Sequence, residues 1–255
     1  MTQPRQRKGI EGRIVGIAAA GAVLLGGAGV WAYVQSDGSG TDGKSGAAHR
    51  PAAAKVDPGI VHASDRAGQS LNITIDDGPD PKWTPKVLDV LKRQGVKAVF
   101  CMIGPQAKAH PELVKQVVAA GHRLCDHTIS HDIGMGKKPD AYQSEQILDA
   151  QKMIEDAAGG AEVEYYRAPG GAFTPYSRQL AADHGMRPLG WNIDSKDFER
   201  KGTASIENTV RNEIRKGPTV LFHDGGGDRA QTVEALEHLL PWMKQQGYGF
   251  GFPQR

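Results

Sequence analysis

Five small groups of ionisable residues punctuate the sequence: Asp76-Asp77, Asp126-His127 with His131, Arg167, Asp194 with Asp197, and His223-Asp224. Carboxylates and imidazoles ligate divalent metals and move protons near neutral pH. One carboxylate and two imidazoles on a zinc-like ion leave a position open for water. Taken singly, each group has an ordinary reading. Asp76-Asp77-Gly78-Pro79 is a turn sequence with Asx hydrogen bonds. Arg167 reads as a surface arginine, Asp194 or Asp197 as a cap, and His223 as a satisfied interior histidine. His127 and His131, at i and i+4, would share one face of a helical turn. Brought to one place, the groups would suit metal-assisted hydrolysis.

The surrounding pattern says how they would meet. Apolar runs occupy 71–75, 96–103, 123–125, 163–166, 187–193, 219–222 and 248–252, and each of the five polar groups follows one of them. Helices are expected between the runs. Thr84-Pro85 opens one that ends at Gly95, with Val87, Leu88 and Leu91 on one face. His110-Pro111 opens another, closed by Gly121, and Thr174-Pro175 a third, closed near Gly185. Proline at the first helical position and glycine past the last is the expected asymmetry. Further helices are expected over 144–158 and 232–246. Strand and helix in alternation predict a parallel sheet. Seven runs suit a distorted or incomplete (β/α)7 barrel, in which all C-terminal strand ends share one face. A doubly wound open sheet is the alternative, but no Gly-x-Gly-x-x-Gly turn follows the first run.

The N-terminal third carries no such pattern. Residues 1–13 hold Arg5, Arg7, Lys8 and Arg13, and 14–34 are uncharged. An uncharged stretch of about 20 residues spans a hydrocarbon core, and flanking basic residues stay in the cytoplasm. The segment therefore reads as an uncleaved signal-anchor in the cell membrane, with the remainder extracytoplasmic. A cleaved signal peptide and a secreted product are the alternative. Residues 35–69, rich in Gly, Ser, Ala and Asp, read as a flexible linker, and 70–255 as the catalytic domain. A net charge of +2 without a basic stripe excludes a nucleic-acid partner. Nothing in the pattern calls for more than a monomer.

Five motifs in this order resemble the NodB-homology polysaccharide deacetylases, carbohydrate esterase family 4. Thr74-Ile75-Asp76-Asp77-Gly78-Pro79 is similar to their T-F-D-D-G-P, and His127-Thr128-Ile129-Ser130-His131 to H-[ST]-x-x-H. Arg167-Ala168-Pro169-Gly170-Gly171 resembles R-x-P-Y-G, Asp194-Ser195-Lys196-Asp197-Phe198 resembles D-x-x-D-W, and Leu221-Phe222-His223 resembles L-x-H. Ile75, Gly170 and Phe198 depart from the usual Phe, Tyr and Trp. None of the three ligates metal or transfers protons.

The resemblance implies one divalent metal ion, zinc by preference with cobalt or nickel as alternatives, held by Asp77, His127 and His131. It implies Asp76 as general base toward water, with Arg167 as its partner. It makes His223 the general acid for the leaving amine, oriented by Asp197, with Asp194 as second choice. The Gly170 N–H would face the oxyanion, and Trp191, Phe198 and Leu221 would wall the pocket. The implied substrate is an acetylated polysaccharide, with peptidoglycan N-acetylglucosamine favoured by the anchor and tether; chitin oligomers and acetylxylan are the alternatives. Two other classes compete: a non-haem iron oxygenase, which also uses two histidines and a carboxylate, and a non-catalytic wall-glycan-binding protein. Cys101 and Cys125, at the ends of neighbouring runs, fit either a disulfide or two buried small side chains.

Overall fold

The computed structural model describes residues 56–255. The predicted basic segment 1–13, the anchor 14–34 and the linker as far as residue 55 lie outside the described residues. No helix among the described residues is long and apolar enough to cross a membrane.

Strand β1 (Ser70–Asp76) shows how the sheet is built. Side chains alternate across a strand. Leu71, Ile73 and Ile75 join the large apolar core with the helices, and each contributes roughly 1.5–3 kcal/mol by leaving water. Asn72, Thr74 and Asp76 turn to the opposite face, where Asn72 donates to Thr219 and Thr74 accepts from Arg167. The remaining strands are β2 (Ala98–Met102), β3 (Arg123–Asp126), β4 (Val163–Tyr166), β5 (Arg187–Pro188), β6 (Ile193–Asp194), β7 (Thr219–His223) and β8 (Gly249–Phe250). Their order is β5-β4-β3-β2-β1-β7-β6, with β8 beside the start of β1, and the ladders are parallel. Both faces are covered, as parallel strands require. A second, smaller apolar cluster of Val61, Val99, Cys101, Cys125, Tyr165 and Leu189 fills the concave side.

The helices are α1 (Thr84–Arg93), α2 (Gly104–Ala109), α3 (Pro111–Ala119), α4 (Asp140–Ala157), α5 (Pro175–Asp183), α6 (Thr203–Glu213) and α7 (Ala230–Gln245). Proline opens α1 and α3 as expected, and Thr174 closes a reciprocal cap with Ser177 at the start of α5.

Three expectations need correction. The run at 187–193 is not one strand: β5 and β6 lie at opposite edges of the sheet, so eight strands form where seven were expected. Between them 189–192 crosses without a ladder, leaving a seam in a curled, incomplete barrel. Arg167, just past β4, holds this crossing segment, donating from Nε to the Leu189 carbonyl at 3.1 Å and from Nη2 to the Gly190 carbonyl at 3.0 Å. Second, the linker reading extends too far, because residues 56–69 are docked on the domain. Val61 is buried and pairs with Leu189, its N–H on Pro188 and its carbonyl receiving Gly190. Third, α2 and α6 were not expected; their Gly, Asn, Ser and Thr content masks the helical period.

Cys101 and Cys125 are register partners on β2 and β3 and form a disulfide with a Cα–Cα separation of 4.1 Å.

Candidate active site

The C-terminal ends of β1, β3, β4, β6 and β7 deliver the five polar groups to one cavity of about 520 Å³. Asp76, Asp77, His127, His131, Gly170, Trp191, Asp194, Phe198, Leu221 and His223 line it. Arg167 and Asp197 stand behind Asp76 and His223, each at most 1% exposed.

Asp77 leaves β1 with φ of +75°, which swings its carboxylate away from that of Asp76. His127 and His131 do not share a helical turn. They sit on a loop where Thr128 and His131 adopt φ of +70° and +51°, and Asp126 Oδ1 accepts the Thr128 N–H at 2.6 Å to hold the bend. The rings nonetheless converge: His127 Nε2 lies 3.6 Å and His131 Nε2 3.4 Å from Asp77 Oδ1. Ligand atoms of all three fall within 4.8 Å of one another. Asp77 Oδ1 is buried without a hydrogen-bond partner. His127 donates from Nδ1 to the Arg167 carbonyl at 2.7 Å, which turns Nε2 toward the triad. Burial pushes the His127 pKa down to about 3, keeping the ring neutral. An orphaned buried oxygen and a neutral imidazole with its lone pair directed inward fit a divalent cation.

Asp76 lines the same cavity, its Oδ2 3.6 Å from His127 Nε2. Burial raises its pKa above the usual carboxylate value, opposed by Arg167, whose Nη1 donates to Oδ1 at 2.6 Å. Every donor group of the Arg167 fork is used: Nη1 also reaches Thr74, while Nε and Nη2 hold the seam carbonyls. On β7, where His223 is the register partner of Asp76, its Nδ1 lies 2.6 Å from Asp197 Oδ1. Burial alone would depress the imidazole, but the Asp197 carboxylate overrides it and raises the pKa to about 9. The His223 partner is thus Asp197. Asp194 instead accepts from Lys196 Nζ at 2.6 Å.

Gly170 adopts φ of +58°, a left-handed conformation open to glycine and strained for the tyrosine of the usual motif. Trp191 lies against Gly171 and 5.6 Å from the Arg167 guanidinium. Phe198 is 43% exposed and Ile133 68%, giving the cavity an apolar rim.

Sequence reading missed Ile133, Lys196 and Arg229, which also line the cavity, and the Gly225-Gly226-Gly227 loop behind His223. The three consecutive glycines were the available signal. A Cβ on Gly225 would lie 2.2 Å from the Asp77 carbonyl oxygen. Asp224, fully buried, accepts from Thr84 at 2.6 Å, and burial raises its pKa to about 7.

Residues 63–189 match the family model for polysaccharide deacetylase. A peptidoglycan-N-acetylglucosamine deacetylase of Bacillus cereus is 39% identical over 182 residues, covering 71% of this chain and 84% of that protein. A chitooligosaccharide deacetylase of Sinorhizobium fredii is 35% identical over 199 residues, covering 74% of this chain and 92% of that one. The solved structure of the Bc1960 peptidoglycan N-acetylglucosamine deacetylase superposes with a TM-score of 0.70 at 28% identity, over 76% of this chain and 89% of that one. With the motifs converging on one cavity and relatives matched over most of their length, the chain belongs to the NodB-homology polysaccharide deacetylases, carbohydrate esterase family 4.

Proposed function

We propose that this polysaccharide deacetylase removes N-acetyl groups from peptidoglycan N-acetylglucosamine, working in the wall layer next to a membrane that residues 14–34 anchor it to, as a monomer tethered by the segment after them. The observation that carries the reading is that Asp76 and His223, register partners on β1 and β7, line one cavity with the Asp77–His127–His131 triad. The resemblance of the chain to a peptidoglycan-N-acetylglucosamine deacetylase supports the choice of glycan, and the uncharged N-terminal stretch supports the location.

Zinc held by Asp77, His127 and His131 would polarise the acetyl carbonyl and lower the pKa of water from ~15.7 to about 7. Asp76, ionised and held by Arg167, takes the proton from the attacking water; its raised pKa makes it a better base than an exposed carboxylate. The Gly170 N–H faces the oxygen that gains charge, a donor whose loss typically costs about 3–4 kcal/mol of barrier. His223, protonated through Asp197, gives its proton to the departing amine, a poor leaving group while neutral. Leu221, Trp191 and Phe198 seat the acetyl methyl and the sugar face. Water adds across the amide bond, yielding acetate and a free amino sugar.

The test is acetate release from purified peptidoglycan, chitin oligomers and acetylxylan side by side, before and after chelation and with zinc, cobalt or nickel restored. Preferential release from peptidoglycan, abolished by chelation and restored by zinc under nitrogen, is the expected result. Restoration only by iron with oxygen would mean an oxygenase. Glycan binding without acetate release under any metal would mean a wall-binding protein.

A further inference from the structure

The Asp197–His223 pair must keep its place relative to the metal-binding triad, although Asp197 follows β6, His223 ends β7 and Asp77 follows β1. Only His223 lies on a strand paired with β1; β6, two short residues at a sheet edge, holds Asp197 weakly. What lies behind Asp197 is the start of α7. Thr232, in its first turn, donates to Asp197 Oδ2 at 2.8 Å. Arg229, immediately before the helix, is 2% exposed and donates from Nη1 to the Asp197 carbonyl at 3.5 Å and from Nε to the Gly225 carbonyl at 2.6 Å.

Gly225 leads on to the triad. It packs flat on the Asp77 carbonyl, with no space for a side chain. A Cβ built on Gly226 would stand 3.2 Å from both Arg229 Nη2 and Asp77 Oδ2, so the guanidinium edge and the outer oxygen of Asp77 border one small space at the cavity wall. No carboxylate pairs with Arg229 among the described residues. A buried guanidinium is costly unless its donors are used, and here two of them hold main-chain carbonyls on two different loops.

We infer that Arg229 is a positioning residue for deacetylation: its fork joins the loop that lies on Asp77 to the turn that carries Asp197, and so fixes the proton-donating pair relative to the triad. The proposal rests on the catalytic reading of His223 given above and adds a residue at the cavity wall whose assigned donors hold main-chain carbonyls. Arginine suits the task because one rigid planar group reaches two carbonyls; a lysine reaches one at a time.

The experiment uses the full chain with Arg229→Met and Arg229→Lys, loaded with zinc. General acid catalysis is worth about 10²–10⁴-fold and a loosened acid forfeits part of that, so kcat should fall about 10–100-fold in R229M with KM nearly unchanged, and R229K should lie between R229M and wild type. Zinc retention against a chelator should stay near wild type, while the melting temperature falls because buried carbonyls lose their donor. The second readout needs no substrate. By 15N-filtered NMR, the His223 Nδ1–H proton, shielded in its bond to Asp197, should exchange with water faster in R229M and partly recover in R229K. If R229M does not fold, R229K carries the same two comparisons. Wild-type kcat with a protected imidazole proton in either soluble variant overturns the inference, as does a loss confined to KM, which would make Arg229 a substrate contact. A wild-type enzyme that releases no acetate, combined with faster His223 exchange in R229M, would reject the functional reading and leave the positioning role standing.

Discussion

Asp197 grips His223 twice, its Oδ1 at the imidazole Nδ1 at 2.6 Å and its Oδ2 accepting the main-chain N–H at 2.8 Å. The double contact sets both the protonation of the ring and its orientation, because the residue cannot turn about its own backbone without breaking one of them. Thr232 completes the carboxylate shell.

Replacing Asp197 with Asn should therefore cost more than geometry. The amide cannot hold an imidazolium, and burial then depresses the His223 pKa, as it does wherever the carboxylate is absent. General acid catalysis is typically worth 10²–10⁴-fold, and a loss of about that size is expected in kcat at pH 8. The basic limb of the kcat profile should move to lower pH. A profile unchanged in shape would assign the acid role elsewhere.

The same pair should write itself into the stability of the chelated protein. His223 titrates at about 9 when folded against 6.5 for the free side chain. The unfolded chain releases this proton first, so the stabilisation is fully present below pH 6.5 and is lost as pH rises through about 9. Urea midpoints measured across that window should fall, and the fall should flatten in Asp197→Asn.

Arg167→Met tests the support of Asp76. The arginine is fully buried and its partner Asp76 is nearly so. Removing one member of a buried pair strands the other charge, at a cost of about 3–5 kcal/mol. Adding Asp76→Asn to that variant should return part of the loss in urea unfolding, without returning activity. Equal stability of the single and double variants would show that the pair is not electrostatically coupled.

The disulfide should matter for folding rather than for chemistry. Cys101 and Cys125 close a loop with a sequence separation of 24, and removing such a bond typically costs about 2–4 kcal/mol. A double Cys→Ala variant should unfold at lower urea yet keep its acetate release per folded molecule. A matching loss of kcat would mean that the bond also aligns the ends of β2 and β3.

Much of this was legible because it depends on short-range chemistry. Short apolar runs marked β1 and β7, Pro and Gly marked the ends of α1, α3 and α5, and polar residues at strand ends marked the cavity. What failed depended on distant partners. Nothing local in 187–193 says that its two halves pair with strands on opposite edges. The spacing of His127 and His131 suits a helix, yet Asp126 bends that stretch into left-handed turns. The resemblance favours Asp197 over Asp194 as the partner of His223, and the 2.6 Å contact agrees with it. Arg229 lay outside every motif because its worth comes from joining a carbonyl four residues back to one on a turn distant in sequence.

The seam between β5 and β6 has one more consequence. Where the chain crosses from β5 to β6, the guanidinium of Arg167 holds two of its carbonyls, with the same group that steadies Asp76. Wall closure and base placement are thus a single interlock. A molecule whose flank springs apart at that point loses its proton acceptor at the same instant, so heat should silence the enzyme before its helices melt.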